Sequence, residues 1–293
     1  MGGIGMSTAS GILPSFLMLD SLLRDWLLED IGRGDRTTQS IFPMGAETGR
    51  SRWVMKESGI VAGLPVAARV FYLLNDQVKL TAIAAEGQWC ERGQTIATLD
   101  GPLDALLTGE RVALNLAMRL SGIATTTRKY VDLIEDLPAQ LVDTRKTTPG
   151  LRVLEKYATR VGGATNHRMG LDDAVMIKDN HIAAAGGIGE AIAQVRKHIP
   201  YMLTIEVETE TMDQVVEALQ HQADVIMLDN MSLERMRQAV QLIRAESKTT
   251  RIEASGNITL ETIRAVAETG VDYISSSAPI TRSTWLDLSM RLE

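Results

Sequence analysis

The chain contains one cysteine, Cys90, in 293 residues. A single thiol excludes an internal disulfide and a multi-cysteine zinc site, and it favours a reducing, cytoplasmic setting. Histidine is scarce as well. None of the four histidines pairs at i,i+3 or i,i+4, so no helix offers a metal-binding pair. No apolar run is long enough to span a bilayer, which excludes a membrane helix. Positive charge is in deficit, at a formal net of −7, which argues against nucleic acid as a partner. The amino-terminal stretch has no basic residue before Arg24 and so lacks the start of a signal peptide. Residues 1–14 read as a flexible lead, with Met6 an alternative start. A Ser/Pro-rich linker is also missing, so two parts of the chain are expected to pack tightly.

What remains is ordinary for a globular protein: 45% apolar and 23% charged residues. The length suits one large or two modest domains. Charge is unevenly spread. Between Thr144 and His181 stand seven Lys/Arg residues against four acids, a local +3 in a chain that is otherwise −10. A cationic island in an acidic protein suggests a site for a small anion. Lys156 and Arg160, four apart in a helical pattern, read instead as a solvated helix face.

The first third of the chain is mixed. Residues 20–31 have helical spacing, 50–63 alternate like a strand, 64–75 return to helix, and 78–102 read as short strands joined by glycine turns. Residues 103–137 are long and helical, with Gly109 and Gly122 as expected interruptions and a domain boundary near 110–120. From 139 onward, short apolar runs (AQLVDT, DAVMIKD, LTIEVET, ADVIMLDN, RIEASG, VDYISSS) alternate with helices. That is the pattern of a parallel sheet covered on both faces. Six such strands suggest a barrel or near-barrel, with an open doubly wound sheet as the alternative.

Each of those strands ends in polar residues: Thr144, Arg145 and Lys146; Lys178; Glu208; Asp229; Ser255, Gly256 and Asn257; then Ser275–Ser277. From Lys178 to Ser277 their spacing of 21 to 30 residues is about one strand–helix unit, so they converge on one barrel mouth. Arg145, Lys146, Arg168 and Lys178, with His167 beside them, suit carboxylates or phosphates. Glu208 and Asp229 could hold a magnesium-bound phosphate, sugar hydroxyls or a developing cation. The last two strand ends, including Ser276 and Ser277, are where barrels bind phosphate through backbone N–H groups. Lys178 has a rival role as a Schiff-base lysine. His181 is expected to hold a loop.

Residues 143–182, DTRKTTPGLRVLEKYATRVGGATNHRMGLDDAVMIKDNHI, closely resemble the signature region of the quinolinate phosphoribosyltransferases. The likeness extends to LLEDIGRGDRTT (27–38), ERVALNLAMRLSGIAT (110–125), IEVET (205–209), MLDNM (227–231) and EASGNIT (253–259), in the expected order. The resemblance implies an α/β protein with an N-terminal α/β sandwich, here 15–115 joined by 280–293, and a C-terminal barrel-like α/β domain of parallel strands, here 116–279. It implies transfer of phosphoribosyl from phosphoribosyl pyrophosphate to quinolinate with loss of carbon dioxide. Magnesium accompanies the pyrophosphate, and there is no organic cofactor. It further implies a homodimer with shared sites, with assembly into hexamers left open.

Carried over, Arg145, His167 and Arg168 would hold the quinolinate carboxylates, joined by Arg111 from a second subunit. Lys146 and Lys178 would meet phosphate oxygens, beside Thr144. Glu208 and Asp229 would serve the ribose hydroxyls and, directly or through substrate and water, the metal. Lys146, Lys178, Glu208 and Asp229 make up the implied catalytic set. Ser255, Gly256, Asn257, Ser276 and Ser277 would hold the 5′-phosphate. This chain departs from the family at Gly162-Gly163-Ala164, where three glycines are common, and at Asn257 and Ser277, where glycine is common. Altered loop detail is expected there. Two other readings stand beside this one: a relative of the same fold with another substrate, and a non-catalytic anion-binding barrel.

Overall fold

The computed structural model describes residues 13–293; the segment expected to be a flexible lead, Met6 included, lies outside them up to residue 12. The elements are α1 (Phe16–Ile31), α2 (Arg36–Ile41), β1 (Thr48–Met55), β2 (Gly59–Ile60), α3 (Leu64–Leu74), β3 (Lys79–Ala82), β4 (Trp89–Cys90), β5 (Thr95–Pro102), α4 (Leu103–Asp132) and β6 (Gln140–Val142). Then follow α5 (Arg152–Val161), β7 (Val175–Ile177), α6 (Asp179–Ala185), α7 (Ile188–His198), β8 (Ile205–Thr209), α8 (Met212–Gln220), β9 (Val225–Asp229), α9 (Leu233–Glu246), β10 (Arg251–Ser255), α10 (Ile263–Ala267), β11 (Tyr273–Ser275), α11 (Ala278–Thr281) and β12 (Leu288–Leu292). The chain divides into two compact units. One comprises 148–163, 283–293 and the described residues up to Arg128; the other comprises 129–147 and 164–282.

The first unit is built on an antiparallel sheet in the order β12-β1-β5-β3. Along β1, Ser51 and Trp53 turn inward and Arg52 outward, the period-two burial of a half-covered strand. Trp53 meets Phe71 of α3 edge to face at 6.4 Å between ring centres. The apolar residues of α3, among them Leu64, Ala67 and Phe71, recur at helical spacing and bury one face. Its amino terminus is closed from elsewhere in the unit. Glu86 accepts the N–H groups of Gly63 (2.8 Å) and Leu64 (2.9 Å) and the hydroxyl of Tyr157.

Helix α4 is unbroken, contrary to the expected interruptions at Gly109 and Gly122. These glycines permit close approach. A Cβ on Gly109 would stand 2.8 Å from the Phe71 ring, and one on Gly122 only 1.9 Å from the Thr284 carbonyl oxygen. Gly122→Ala is therefore expected to destabilise the first unit, because a backbone carbonyl must move to admit the methyl. The expected result is a clearly lower Tm than wild type, read by circular dichroism.

Lys156 corrects a second expectation. It is fully buried, as are Glu155 and Tyr157, and Arg160 is half-buried. Four-residue spacing shows which residues share a helix face; it does not show whether that face meets water. Here α5 is enclosed by Arg119 of α4, bonded to Glu155 at 2.7 Å, by Glu86 on Tyr157, and by the close approach of Gly162 to the Ala124 carbonyl.

The second unit is a parallel sheet in the order β6-β11-β10-β9-β8-β7, with helices between the strands. Alternate strand residues (Ile205, Val207, Ile226, Leu228, Ile252, Ala254, Ile274) join buried residues of α7 to α10 in one apolar core. The intervening positions, among them Lys178, Glu206, Glu208, Asp229, Glu253 and Ser255, therefore belong to the opposite face. No ladder joins the edge strands β6 and β7. His167 nevertheless lies within 3.5 Å of both Glu206 on β8 and Glu253 on β10, across the intervening β9. Residues from both edges, Thr144 after β6 and Met176 of β7, line one cavity together with Met227 and Glu253, so the sheet curls into a barrel open at one seam.

Candidate active site

The strand ends of the second unit enclose a cavity of about 250 Å³ lined by Thr144, Arg145, Lys146, His167, Arg168, Met176, Lys178, Glu208, Met227, Glu253, Ser255 and Ser275. Thr144 follows β6, and its hydroxyl accepts the Lys146 N–H at 3.0 Å, tightening the turn that presents Arg145 and Lys146. Buried Asp143 anchors the next segment: its carboxylate accepts the His167 N–H (2.9 Å) and the Asn166 amide (2.6 Å). Arg168 is steadied by a bond from its guanidinium to the Ala174 carbonyl at 2.9 Å. Burial, then the neighbouring Arg145 charge, lowers its pKa. Two arginines lining one cavity suit an anion with two carboxylates.

Lys178 follows β7 and pairs with Glu208 of β8. The Lys178 N–H donates to His181 Nδ1 at 3.0 Å, so His181 holds the start of α6. The imidazole of His167 accepts the Arg168 N–H at Nδ1 (2.8 Å), which places its proton on Nε2. That atom faces Glu206 Oε2 at 3.1 Å and Glu253 Oε2 at 3.5 Å.

Other predicted residues lie beside the cavity lining. Asp229 is in register with Ser255, and its carboxylate accepts the Asn230 amide at 2.6 Å. Asn230 and Asn257 both have φ of 52°, and Gly256 has φ of 97°. Asparagine tolerates this left-handed region better than most side chains, so Asn257 keeps a backbone shape that glycine also suits. The Asn257 amide donates to Asn230 at 3.2 Å, tying the loops after β9 and β10 together. Gly256 packs so closely on Asn230 that a Cβ would lie 2.2 Å from its Oδ1. The Ser276 N–H donates to the Val142 carbonyl at 3.0 Å, and Ser277 precedes α11. Arg111 belongs to the first unit, where it lines a cavity of about 500 Å³ with Trp26, Asp30, Asn115, Arg119 and Thr148.

Glu206, Glu253 and Asp143 were not anticipated. The first two had a legible signal: in IEVE and IEAS they stand two residues before Glu208 and Ser255, hence on the same strand face. Asp143 had none, because its role depends on a segment more than twenty residues on.

Fold and cavity together define a class: an open α/β-barrel enzyme acting on a substrate with several negative groups. Family comparison narrows this. The family description "Quinolinate phosphoribosyl transferase, C-terminal domain" matches residues 123–291, and its N-terminal counterpart matches 35–121. The chain is 58% identical over 281 residues to a protein of Synechocystis named "Probable nicotinate-nucleotide pyrophosphorylase [carboxylating]", covering 96% of this chain and 94% of that protein. A Bacillus subtilis protein of the same name is 49% identical over 274 residues, covering 94% and 93%. Among solved structures, NadC from Streptococcus pyogenes superposes with a TM-score of 0.89 at 42% identity, over 95% of this chain and 97% of that one. The nicotinate-nucleotide pyrophosphorylase from Francisella tularensis gives 0.90 at 36% identity, over 99% and 100%. The chain belongs to the quinolinate phosphoribosyltransferase family.

Proposed function

We propose that this protein transfers phosphoribosyl from phosphoribosyl pyrophosphate to quinolinate and releases pyrophosphate and carbon dioxide, giving nicotinate mononucleotide for NAD synthesis. The observation that carries this reading is the single cavity in which Arg145, Lys146, His167, Arg168 and Lys178 gather against Glu208. Arg145 and Arg168 take the two carboxylates of quinolinate, with Arg111 supplied by a second copy of the chain in a homodimer. Lys146 and Lys178 meet phosphate oxygens, and the loops at Ser255–Asn257 and Ser276–Ser277 receive the 5′-phosphate.

Cleavage of the ribose–pyrophosphate bond leaves an oxocarbenium-like centre that Glu208 and Asp229 stabilise by charge. The pyridine nitrogen is the nucleophile, so the chain needs none of its own. Cys90, free and buried, lies outside the strand-end cluster. Glu208 and Asp229 are hard oxygen donors of the kind magnesium takes, and the ion, arriving with the pyrophosphate, would neutralise charge on the leaving oxygens. After ribosylation the positive ring nitrogen draws the electrons of the adjacent carboxylate, and carbon dioxide departs. A cytoplasmic setting is part of the proposal; among the described residues no helix is long and apolar enough to cross a membrane.

The test is purified protein with quinolinate, phosphoribosyl pyrophosphate and magnesium, following nicotinate mononucleotide by chromatography. Turnover is expected, and chelation of magnesium is expected to abolish it, with recovery on readdition. No product from quinolinate would sink the reading.

A further inference from the structure

Two buried carboxyl groups of the second unit have no part in the reaction as described so far. Glu206 is 6% exposed and Glu253 3%, and each has its Oε1 buried with no hydrogen-bond partner. Their other oxygens share the His167 imidazole, and the three atoms lie within 4.8 Å of one another. With Nδ1 of His167 engaged by the Arg168 N–H, one imidazole proton faces two carboxyl groups. Negative charge on both carboxyls at this spacing is unfavourable, which favours a proton on Glu253. Of the two, Glu253 lines the cavity, with Arg145, His167 and Arg168. The groups facing Glu253 are Glu206 from β8, His167 from the segment after α5, Lys178 from β7 and the Ser275 hydroxyl from β11, while β9 contributes uncharged Met227. Burial, then the Glu206 charge, pushes Glu253 up to about 8, against the opposing pull of His167 and Lys178. The Glu253 carboxyl therefore holds a proton beside the cations of the cavity at neutral pH.

Decarboxylation creates a need for that proton. When the bond from ring C2 to its carboxylate breaks, the electron pair remains on C2 and carbon dioxide leaves. C2 must then gain a proton to become the C–H of the product. The arginines do not release protons. Lys146 and Lys178 serve phosphate oxygens, Lys178 paired with Glu208 as well. We propose that Glu253 is the general acid that protonates C2 after carbon dioxide leaves. The O–H bond of its carboxyl breaks as the C2–H bond forms. The resulting carboxylate is balanced by His167 and Lys178 and regains a proton from solvent after product release. This inference rests on the proposed reaction with quinolinate.

Wild-type enzyme separates the two ideas. Failure to make product from quinolinate ends the reaction itself. Product formation with no alkaline limb in kcat near pH 8 overturns the role of Glu253 alone. Glu253→Gln, of nearly the same shape, is expected to lower kcat about a hundredfold, keep the KM for quinolinate within a few-fold, and erase the alkaline limb. In a single turnover it should release pyrophosphate ahead of nicotinate mononucleotide, a separation that a purely structural role would not cause. A folded Glu253→Gln enzyme with unchanged kcat and limb overturns the proposal. Should that variant fail to fold, Glu206→Gln decides: loss of the neighbouring charge must move the limb to lower pH, and a stationary limb overturns the proposal. A stoichiometric transition metal held by wild type at His167, and lost in Glu253→Gln, would likewise overturn it.

Discussion

Arg145→Ala is expected to reduce kcat/KM for quinolinate by about a thousandfold while leaving Tm close to wild type. The magnitude follows from what is removed. A buried charge-assisted contact to a carboxylate costs roughly 2–5 kcal/mol when one partner is truncated, and each 1.4 kcal/mol is a factor of ten. The loss should fall mainly on the quinolinate KM, because Arg145 holds substrate before and during reaction alike. The fold should survive because Arg145 lies on the turn after β6, whose Lys146 N–H to Thr144 hydroxyl bond involves no part of the arginine side chain. Removing one of two neighbouring cations also relieves the repulsion that lowers the Arg168 pKa. Steady-state kinetics with varied quinolinate, beside a melting curve, check this. A large loss of Tm with normal kinetics would make Arg145 a structural residue.

Glu208→Gln is expected to lower kcat by roughly a thousandfold, with smaller changes in both KM values. A preorganised group facing developing charge in a water-poor site supplies about 10²–10³ of rate. Here the variant also frees Lys178 from its ion pair. Lys178, which meets phosphate oxygens, then loses the carboxylate that orients it, and this adds to the barrier. The side chain of Glu208 is 15% exposed and that of Lys178 41%, so the pair is only partly buried and its contribution to stability is small. Initial rates at saturating substrates check this outcome. A kcat within tenfold of wild type would remove Glu208 from the reaction.

Much of the barrel was legible because its two signals are local. Apolar runs such as VIMLD and RIEAS pack their alternate residues on the helices, and the polar residue at each end follows from strand length alone. Lys178 and Glu208 were readable from strand spacing, and Arg145, Lys146, His167 and Arg168 from the cationic island and the family resemblance; one cavity receives them all. Gly109 and Gly122 were misread for an equally physical reason. Glycine weakens a helix in isolation, but here it lets the Phe71 ring and the Thr284 carbonyl approach, gains that no local pattern reveals. Lys156 was misread in the same way: the neighbours that bury α5 come from distant stretches of chain.

The sequence by itself thus determined the order of strands and helices, the cationic character of the strand ends and the family. Tertiary structure alone decided where the protons sit. Glu206 and Glu253 are 47 residues apart and neither stands in a recognisable motif of acid catalysis. Only the pairing of β8 and β10 on either side of β9 brings both carboxyls to one imidazole, and burial there favours a proton on Glu253. Side-chain identity is a local property, whereas a pKa is set by whichever charges folding brings near and by how much water folding removes.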